Sequence, residues 1–400
     1  MKIGTTDINN IKIGTTAVSS VYLGANKVWP NENPFEFTVD TTNAGSASDT
    51  FIMPAGNIGT YNAVIDWGDG STSDITTFTD LDLTHVYSVS GVYNISISGT
   101  YPYIFFDGLG DKLKILDITN WGDIGTLSMN QAFQSCTNLT CSATDKADFP
   151  NCTTMYRAFQ SCTSFNHSFD NCNWSSSLSI QECFEGCTSF NSSLNDLDLS
   201  SCVNYIEAFQ SCTSFNSSLN NWSPTGSLEN FFRNCSLFNQ DLSSWNTTGV
   251  TNLIDTLRNT SFNYSLNTWD FSSVTSLEYF LSGSNYNQDS DTWDVSSVTS
   301  FVGVFNNCTS FNQDVGSWDI SVGASFYETF RLTALDNTNY QAILIGWTGW
   351  VGGVATKTVQ PNVNAHFGTA KYGIGTDSED AKNWLTGVGN TWTITDGGGI

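Results

Sequence analysis

The sequence predicts a mainly β chain with short helices: a β-sandwich, then a solenoid of repeated coils, then a C-terminal cap. Three observations predict it. Short β-prone runs separated by turn residues fill positions 34–103. From about residue 104 the chain repeats itself with a period near 25 residues, the mark of stacked units that bury their apolar faces against one another. Lys, Glu, Arg and Ala are scarce while β-branched and turn residues abound, which disfavours a helix-rich architecture. At 400 residues the chain suggests two or three domains. With 39% hydrophobic and 14% aromatic residues it can build a sizeable core, which excludes global disorder.

Charge narrows the partners. Lys+Arg number 13 against Asp+Glu 38, a formal net charge of −25, yet only 13% of residues are charged. That is about half the usual share, so the polarity comes from Ser, Thr, Asn and Gly. Without a basic face the chain is not expected to bind nucleic acid or an anionic membrane surface. No apolar run reaches the ~18 residues of a membrane span, so no membrane insertion is expected. The start, MKIGTTDINNIKIG, has no apolar stretch of the secretory kind. The expectation is a protein used without classical export, or one lacking its leader.

Residues 1–33 hold a small repeat, KIGTTDINNI then KIGTTAVSSV then YLGANKVWP. They read as short strands and tight turns, too small to bury a core alone. Two readings stand: a strand pair packed on the next domain, or an attachment segment that completes its fold against another subunit. The pattern resembles the opening of many bacteriophage tail and appendage proteins. Residues 34–103 read as strands FEFTV, TFIMP, YNAVIDW, THVY and VYNISISG, with a sandwich's rhythm. The W-G-D-G turn at Trp67–Gly70, followed by His85-Val-Tyr87 and Gly91-Val-Tyr93, resembles the PKD family of immunoglobulin-like domains. That resemblance implies an Ig-like spacer or binding module. Asp66 and Asp69 suit turn chemistry, with calcium ligation as the alternative.

The repeat over residues 104–337 aligns on Phe133, Phe159, Phe184, Phe209, Phe232, Leu257, Phe280, Phe305 and Phe330. The anchors are spaced 26, 25, 25, 23, 25, 23, 25 and 25 residues apart. The apolar spacing of Val298, Phe301, Val304, Phe305 and Cys308 predicts a short helix in each coil. The stretch Phe311–Ile320 predicts a strand with a central turn. Phe238-Asn-Gln-Asp-Leu-Ser-Ser-Trp245 and Phe311-Asn-Gln-Asp-Val-Gly-Ser-Trp318 closely resemble the BspA-type leucine-rich repeat. The resemblance implies a leucine-rich-repeat solenoid. Residues 338–400 leave the repeat and read as its cap, with helical patterns at Tyr340–Trp347 and Ala381–Leu385 and a final strand and turn at Asn390–Gly398. Their L-I-G-W and W-T-I-T-D-G-G pieces resemble the ends of proteins carrying this repeat, which suggests a natural C-terminus.

The repeat assigns each residue type a place. Cys136, Cys162, Cys187, Cys212, Cys235 and Cys308 follow the anchor by three, where Thr260, Gly283 and Thr333 stand elsewhere. Cys152 and Cys202 precede it by seven, where other coils have Val250 and Val298. Such a slot is small and buried, and Cys there is a small hydrophobe. Occasional disulfides between neighbouring coils are the alternative, and the absence of any C-x-x-C pair argues against zinc. Trp222, Trp245, Trp269, Trp293 and Trp318 form a row that reads as core stack or sugar-stacking platform. The asparagines Asn166, Asn191, Asn216, Asn239, Asn263, Asn287 and Asn312 are expected to bond the backbone of the next coil. The row after tryptophan, Asn246, Asp270, Asp294 and Asp319, should face outward. Stacked carboxylates repel unless solvated or bridged, so the row reads as a solvated face or as a ligand- or calcium-facing one.

No H-E-x-x-H, G-x-S-x-G or P-loop occurs. The chain is expected not to be an enzyme and to hold no cofactor, calcium at the aspartate row apart. The resemblances together imply a bacteriophage virion appendage or tail protein at the virion surface. It would join other virion proteins through residues 1–33 and contact a host surface protein or glycan through the solenoid. Homo-oligomerisation stays open, since no heptad speaks for a coiled coil. The alternatives are a bacterial cell-surface adhesin with the same repeats and a virion decoration protein with no receptor role.

Overall fold

The computed structural model describes residues 33–400 and, before them, only the backbone of short paired strands. These are β1 (Lys2–Ile3) with β2 (Thr6–Asp7), β3 (Lys12–Ile13) with β4 (Thr16–Ala17), and β5 (Val21–Leu23) with β6 (Asn26–Trp29). The attachment role expected of residues 1–33 otherwise lies outside the described residues. The chain is mainly β with few short helices.

Strands β7 (Phe35–Asp40), β9 (Asn62–Asp66), β10 (Thr72–Ile75), β12 (Val92–Thr100), β13 (Ile115–Asn120) and β14 (Thr140–Cys141) form one sheet in the order β10-β9-β12-β7-β13-β14. A separate pair joins β8 (Thr50–Ile52) to β11 (Thr84–Val86). Alternation sends Phe35, Phe37 and Val39 inward from β7. The turn between β9 and β10 is an Asx structure. Asp66 accepts the Gly68 N–H at 2.9 Å, and Asp69 accepts the Ser71 N–H at 3.0 Å. Gly68 sits at φ +78°, and a Cβ there would lie 2.3 Å from the Asn94 carbonyl oxygen. His85 stacks on Trp67 with ring centroids 4.8 Å apart and places Nε2 2.9 Å from Asp69. The Ser71 hydroxyl, and after it His85, hold the Asp69 carboxyl down at about 2.

The sheet crosses the boundary expected at residue 103. β13 pairs antiparallel with β7 and parallel with β14, so β7 lies directly beside the start of the repeat. Lys114, just before β13, is fully buried, and its ammonium donates to the carbonyls of Ala47 (2.8 Å) and Thr50 (2.7 Å). Asp111, also buried, lies 3.7 Å from it and accepts the backbone N–H groups of Ser46 and Ile52. The pair ties the loop before β8 to the entrance of the repeat.

Beyond β14 the coils stack in parallel register, through the pair β15 (Gly226–Ser227) with β16 (Val250–Asn252) and bridges such as Ser276↔Ser300 and Ser300↔Ser325. The expected short helix at the anchor is absent. In its place the residues two before and two after the anchor adopt left-handed backbone: Arg157 and Ser161 around Phe159, Asn230 and Asn234 around Phe232. Every second N–H then points to the next coil. In the Phe159 coil, Met155 donates to Ser179, Arg157 to Gln181, Phe159 to Cys183 and Ser161 to Glu185, at 2.7–3.1 Å. The apolar spacing that imitates a helix arises because the residues seven, four and one before the anchor, the anchor itself and the third residue after it all point inward. Parallel bridging falls beside these residues, at Ser300 for example, while the predicted strand Phe311–Ile320 forms none.

The same hydrogen bonds move one anchor. Left-handed residues flank Leu281 at Tyr279 and Gly283, and Leu281 donates to Val304 as the other anchors do, so Leu281 takes the place expected of Phe280. The slot three further on belongs to Ser284 and not to Gly283.

The core is continuous from Phe35 to Trp392. Anchors stack nearly parallel, Phe159 on Phe184 at 5.6 Å and Phe184 on Phe209 at 5.5 Å. A second column runs beside them through Phe165, Phe190, Phe215 and Phe238. The cap continues the stack. Phe326 and Phe330 donate to Asn364 and His366 of β17 (Asn364–His366), on which β18 (Thr393–Thr395) pairs in parallel. Helices α1 (Asn337–Thr348) and α2 (Asp377–Thr386) pack against each other in this cap.

Candidate functional site

Each column singled out in the sequence has a definite place. The thiols of Cys162, Cys187, Cys212, Cys235 and Cys308 donate to the anchor carbonyl of the preceding coil at 2.8–3.0 Å. All eleven cysteines are free, and burial pushes the thiol of even the half-exposed Cys141 up to about 12. The asparagine ladder runs unbroken. The side-chain oxygen of each asparagine from Asn166 to Asn287 accepts the N–H of the next asparagine in the series at 2.7–3.0 Å. Asn312 passes the ladder to Asp336, which N-caps α1.

The tryptophans are core, and only the edge of Trp222 borders an open notch. Trp222, Trp245 and Trp269 are buried and donate to the carbonyls of Leu194, Leu219 and Leu242. Trp318 donates likewise to Ser290, and Trp347 of α1 to Val315. Trp293 departs: its ring stacks on Phe271 at 4.5 Å and its buried indole N–H has no partner.

The row Asn246, Asp270, Asp294 and Asp319 stands on equivalent turns of successive coils, Asp270 half-buried and the others exposed. Each side chain closes its own turn, accepting the N–H of Thr248, Ser272, Ser296 or Ser321 at 3.0–3.2 Å. The Ser272 hydroxyl lowers the Asp270 carboxyl below its ordinary range, and the Ser321 N–H does the same for Asp319.

A different face gathers the long ionisable side chains, and the sequence reading passed over it. It comprises the residues three and two before the anchor and the one after it. All four arginines of the chain lie there, Arg157, Arg233, Arg258 and Arg331, with six of its nine glutamates. Left-handed backbone at the second residue before each anchor turns these side chains toward their equivalents on adjacent coils. Arg157 Nε meets Glu182 at 2.7 Å, and Gln160 bonds the same oxygen at 2.9 Å. Gln210 joins Glu185 to Glu207, and Asn230 links Glu207 to Arg233. At the other end, Gln131 bonds Asp107 and Gln134, and Gln134 bonds Gln160. One network thus spans the coils from Asp107 to Arg233. Separate ion pairs follow, Arg258 with Asp255 at 2.9 Å and Arg331 with Glu328 at 3.8 Å. Oxygens of Glu182, Glu185 and Glu207 come within 4.8 Å of one another, a donor set of the kind hard cations take. Burial, and then the carboxylates of Glu182 and Glu185, raise the Glu207 carboxyl above its ordinary range. The signal for this face was present in the repeat, in columns beside the aromatic and cysteine ones.

The class of protein this defines is a mainly β chain of stacked tandem repeats with a polar side-chain network along one face. The chain belongs to the family described as Mycoplasma protein of unknown function, DUF285, which matches residues 112–225 and 226–343 in tandem. No curated protein and no solved structure matches the chain.

Proposed function

We propose that this is a non-enzymatic adhesion protein, a bacteriophage virion appendage that holds the host surface through its repeats. In this reading residues 34–103 are an Ig-like, PKD-type sandwich, the repeats are a leucine-rich-repeat solenoid, and residues 1–33 attach the chain to other virion proteins. The observation that carries it is the continuous polar face. Arginines, glutamates and amides are presented at a regular repeat by a core with one continuous stack, which suits many weak contacts to an extended ligand. The surface row Asn246, Asp270, Asp294 and Asp319 would add acceptors, with calcium as a bridging ion. The test is mass spectrometry of purified virions together with adsorption assays. The chain should be present in virions, and the isolated protein should bind host cells and reduce phage adsorption. Absence from virions overturns the appendage reading. Failure to bind cells overturns adhesion.

A second reading, a bacterial cell-surface adhesin, is favoured by the family's description as a Mycoplasma protein. Surface labelling of intact cells that express the chain distinguishes it from the first.

A further inference from the structure

One coil is two residues short. From Trp245, Trp269, Trp293 and Trp318 to the following anchors Leu257, Leu281, Phe305 and Phe330 is 12 residues in every case. From Trp222 to Phe232 it is 10. The missing residues belong between Pro224 and Gly226. There the preceding coil has Ser200, Ser201 and the inward Cys202, while this coil has only the exposed Thr225. Gly226, at φ +75°, rejoins the register, and its pairing with Val250 carries an irregularity before Ser227 meets Asn252. A Cβ at Gly226 would lie 3.1 Å from the Val203 carbonyl oxygen, so the short coil is drawn tight against its neighbour.

A notch of about 400 Å³ lies beside the short coil. Its floor is Trp222, Tyr205, Leu197 and Cys202, exposed by 4–7%, with Trp222 between its equivalents Trp293 and Trp269 in exposure. Its rim is Asp198, Ser200, Asn221, Ser223 and Thr225. The two family matches meet at residues 225 and 226, beside the notch.

We propose that this notch binds one uncharged pyranose ring of a surface glycan. The volume falls in the range of ~300–1,000 Å³ typical of small-ligand clefts. The floor offers aromatic and aliphatic edges for the C–H face of a sugar. The rim offers a carboxylate, an amide and three hydroxyls for its hydroxyl groups. No Lys or Arg lines the notch, so an acidic sugar would meet only Asp198 and be repelled. The proposal rests on the adhesion reading and gives it a ligand class and a place.

The test titrates the full chain with neutral methyl pyranosides and N-acetylhexosamines, followed by saturation-transfer NMR, with a uronic acid and a peptide library as controls. At least one neutral pyranoside should bind and the uronic acid should not. Inserting Ser-Val after Thr225, which restores the length of the other coils, should weaken binding at least tenfold with Tm unchanged or raised. Should that variant misfold, Thr225→Trp, at an exposed position, plugs the notch instead. Asp198→Asn keeps the turn closed on Ser200 and should weaken binding severalfold. No pyranoside binding, binding that survives the plugged notch, or preference for peptide or uronic acid each overturns the proposal. If the plugged protein loses sugar but still holds host cells, the adhesion reading survives with its contact elsewhere. If the native chain binds sugar but no cells, the notch stands and the adhesion reading falls.

Discussion

At the residue scale, a buried lysine and a half-buried glutamate make opposite predictions. Lys114 is surrounded by carbonyls and by Asp111, so its charge is solvated by the protein. Lys114→Met leaves the Asp111 carboxylate buried without its cation, and should cost about 3–5 kcal/mol in a denaturant titration. An unchanged midpoint would mean that the pair contributes nothing. Burial, and then the neighbouring carboxylates of Glu182 and Glu185, raise the Glu207 carboxyl. A raised acid binds its proton more tightly folded than unfolded. Its favourable contribution is therefore complete below the ordinary carboxylate range and is lost as pH rises through the raised value. Glu207→Gln keeps an acceptor for Asn230 and removes that loss. Its Tm should exceed the native one at pH 7 and match it once the pH falls below the ordinary carboxylate range.

At the element scale, the coil is held by ladders. Asn263 accepts the N–H of Asn287 and a bond from Gln288. Asn263→Ala should cost about 0.5–1.5 kcal/mol, since the freed groups are within reach of water. The left-handed positions carry a cost that is general for residues with a Cβ. Leu332, at φ +59° and exposed, is the least suited of them. Leu332→Gly should stabilise by up to about 1 kcal/mol, and a lower midpoint would show that its side chain contributes packing that outweighs the strain. The coil's apolar spacing was legible in the sequence, but its backbone was not. Residues pointing inward at −7, −4, −1, 0 and +3 look helical whether the chain turns as a helix or takes left-handed backbone two residues before and two after the anchor. Only the donors and acceptors of the next coil tell them apart. The anchor at 280 and 281 was ambiguous for a related reason: Phe280 is the larger residue, but Leu281 has the hydrogen bonds.

At the scale of the whole molecule, one core and one run of coil-to-coil bonds join the sheet, the repeats and the cap. The terminal coil bonds β17 through Phe326 and Phe330. Removing residues 338–400 bares those N–H groups and the aromatic faces beneath. The truncated chain should oligomerise or precipitate, as read by size-exclusion chromatography. A soluble monomer with an unchanged melting curve would show that the cap is dispensable. A native chain melting in a single transition would accord with the shared core. The long ionisable face belongs to this scale too. Glu182, Glu185 and Glu207 come from two coils, and no single repeat suggests that their oxygens converge.

The sequence by itself determined the strand-rich composition, the repeat, the burial of its Phe, Trp and Cys columns, and the asparagine ladder. Each of these follows from a residue type recurring at one position, and periodicity is a property of the chain alone. Tertiary structure decided the rest. The aspartates after tryptophan close their own turns. The polar network and the notch arise from groups about 25 residues apart, or from a coil two residues short, and only stacking brings such differences into contact.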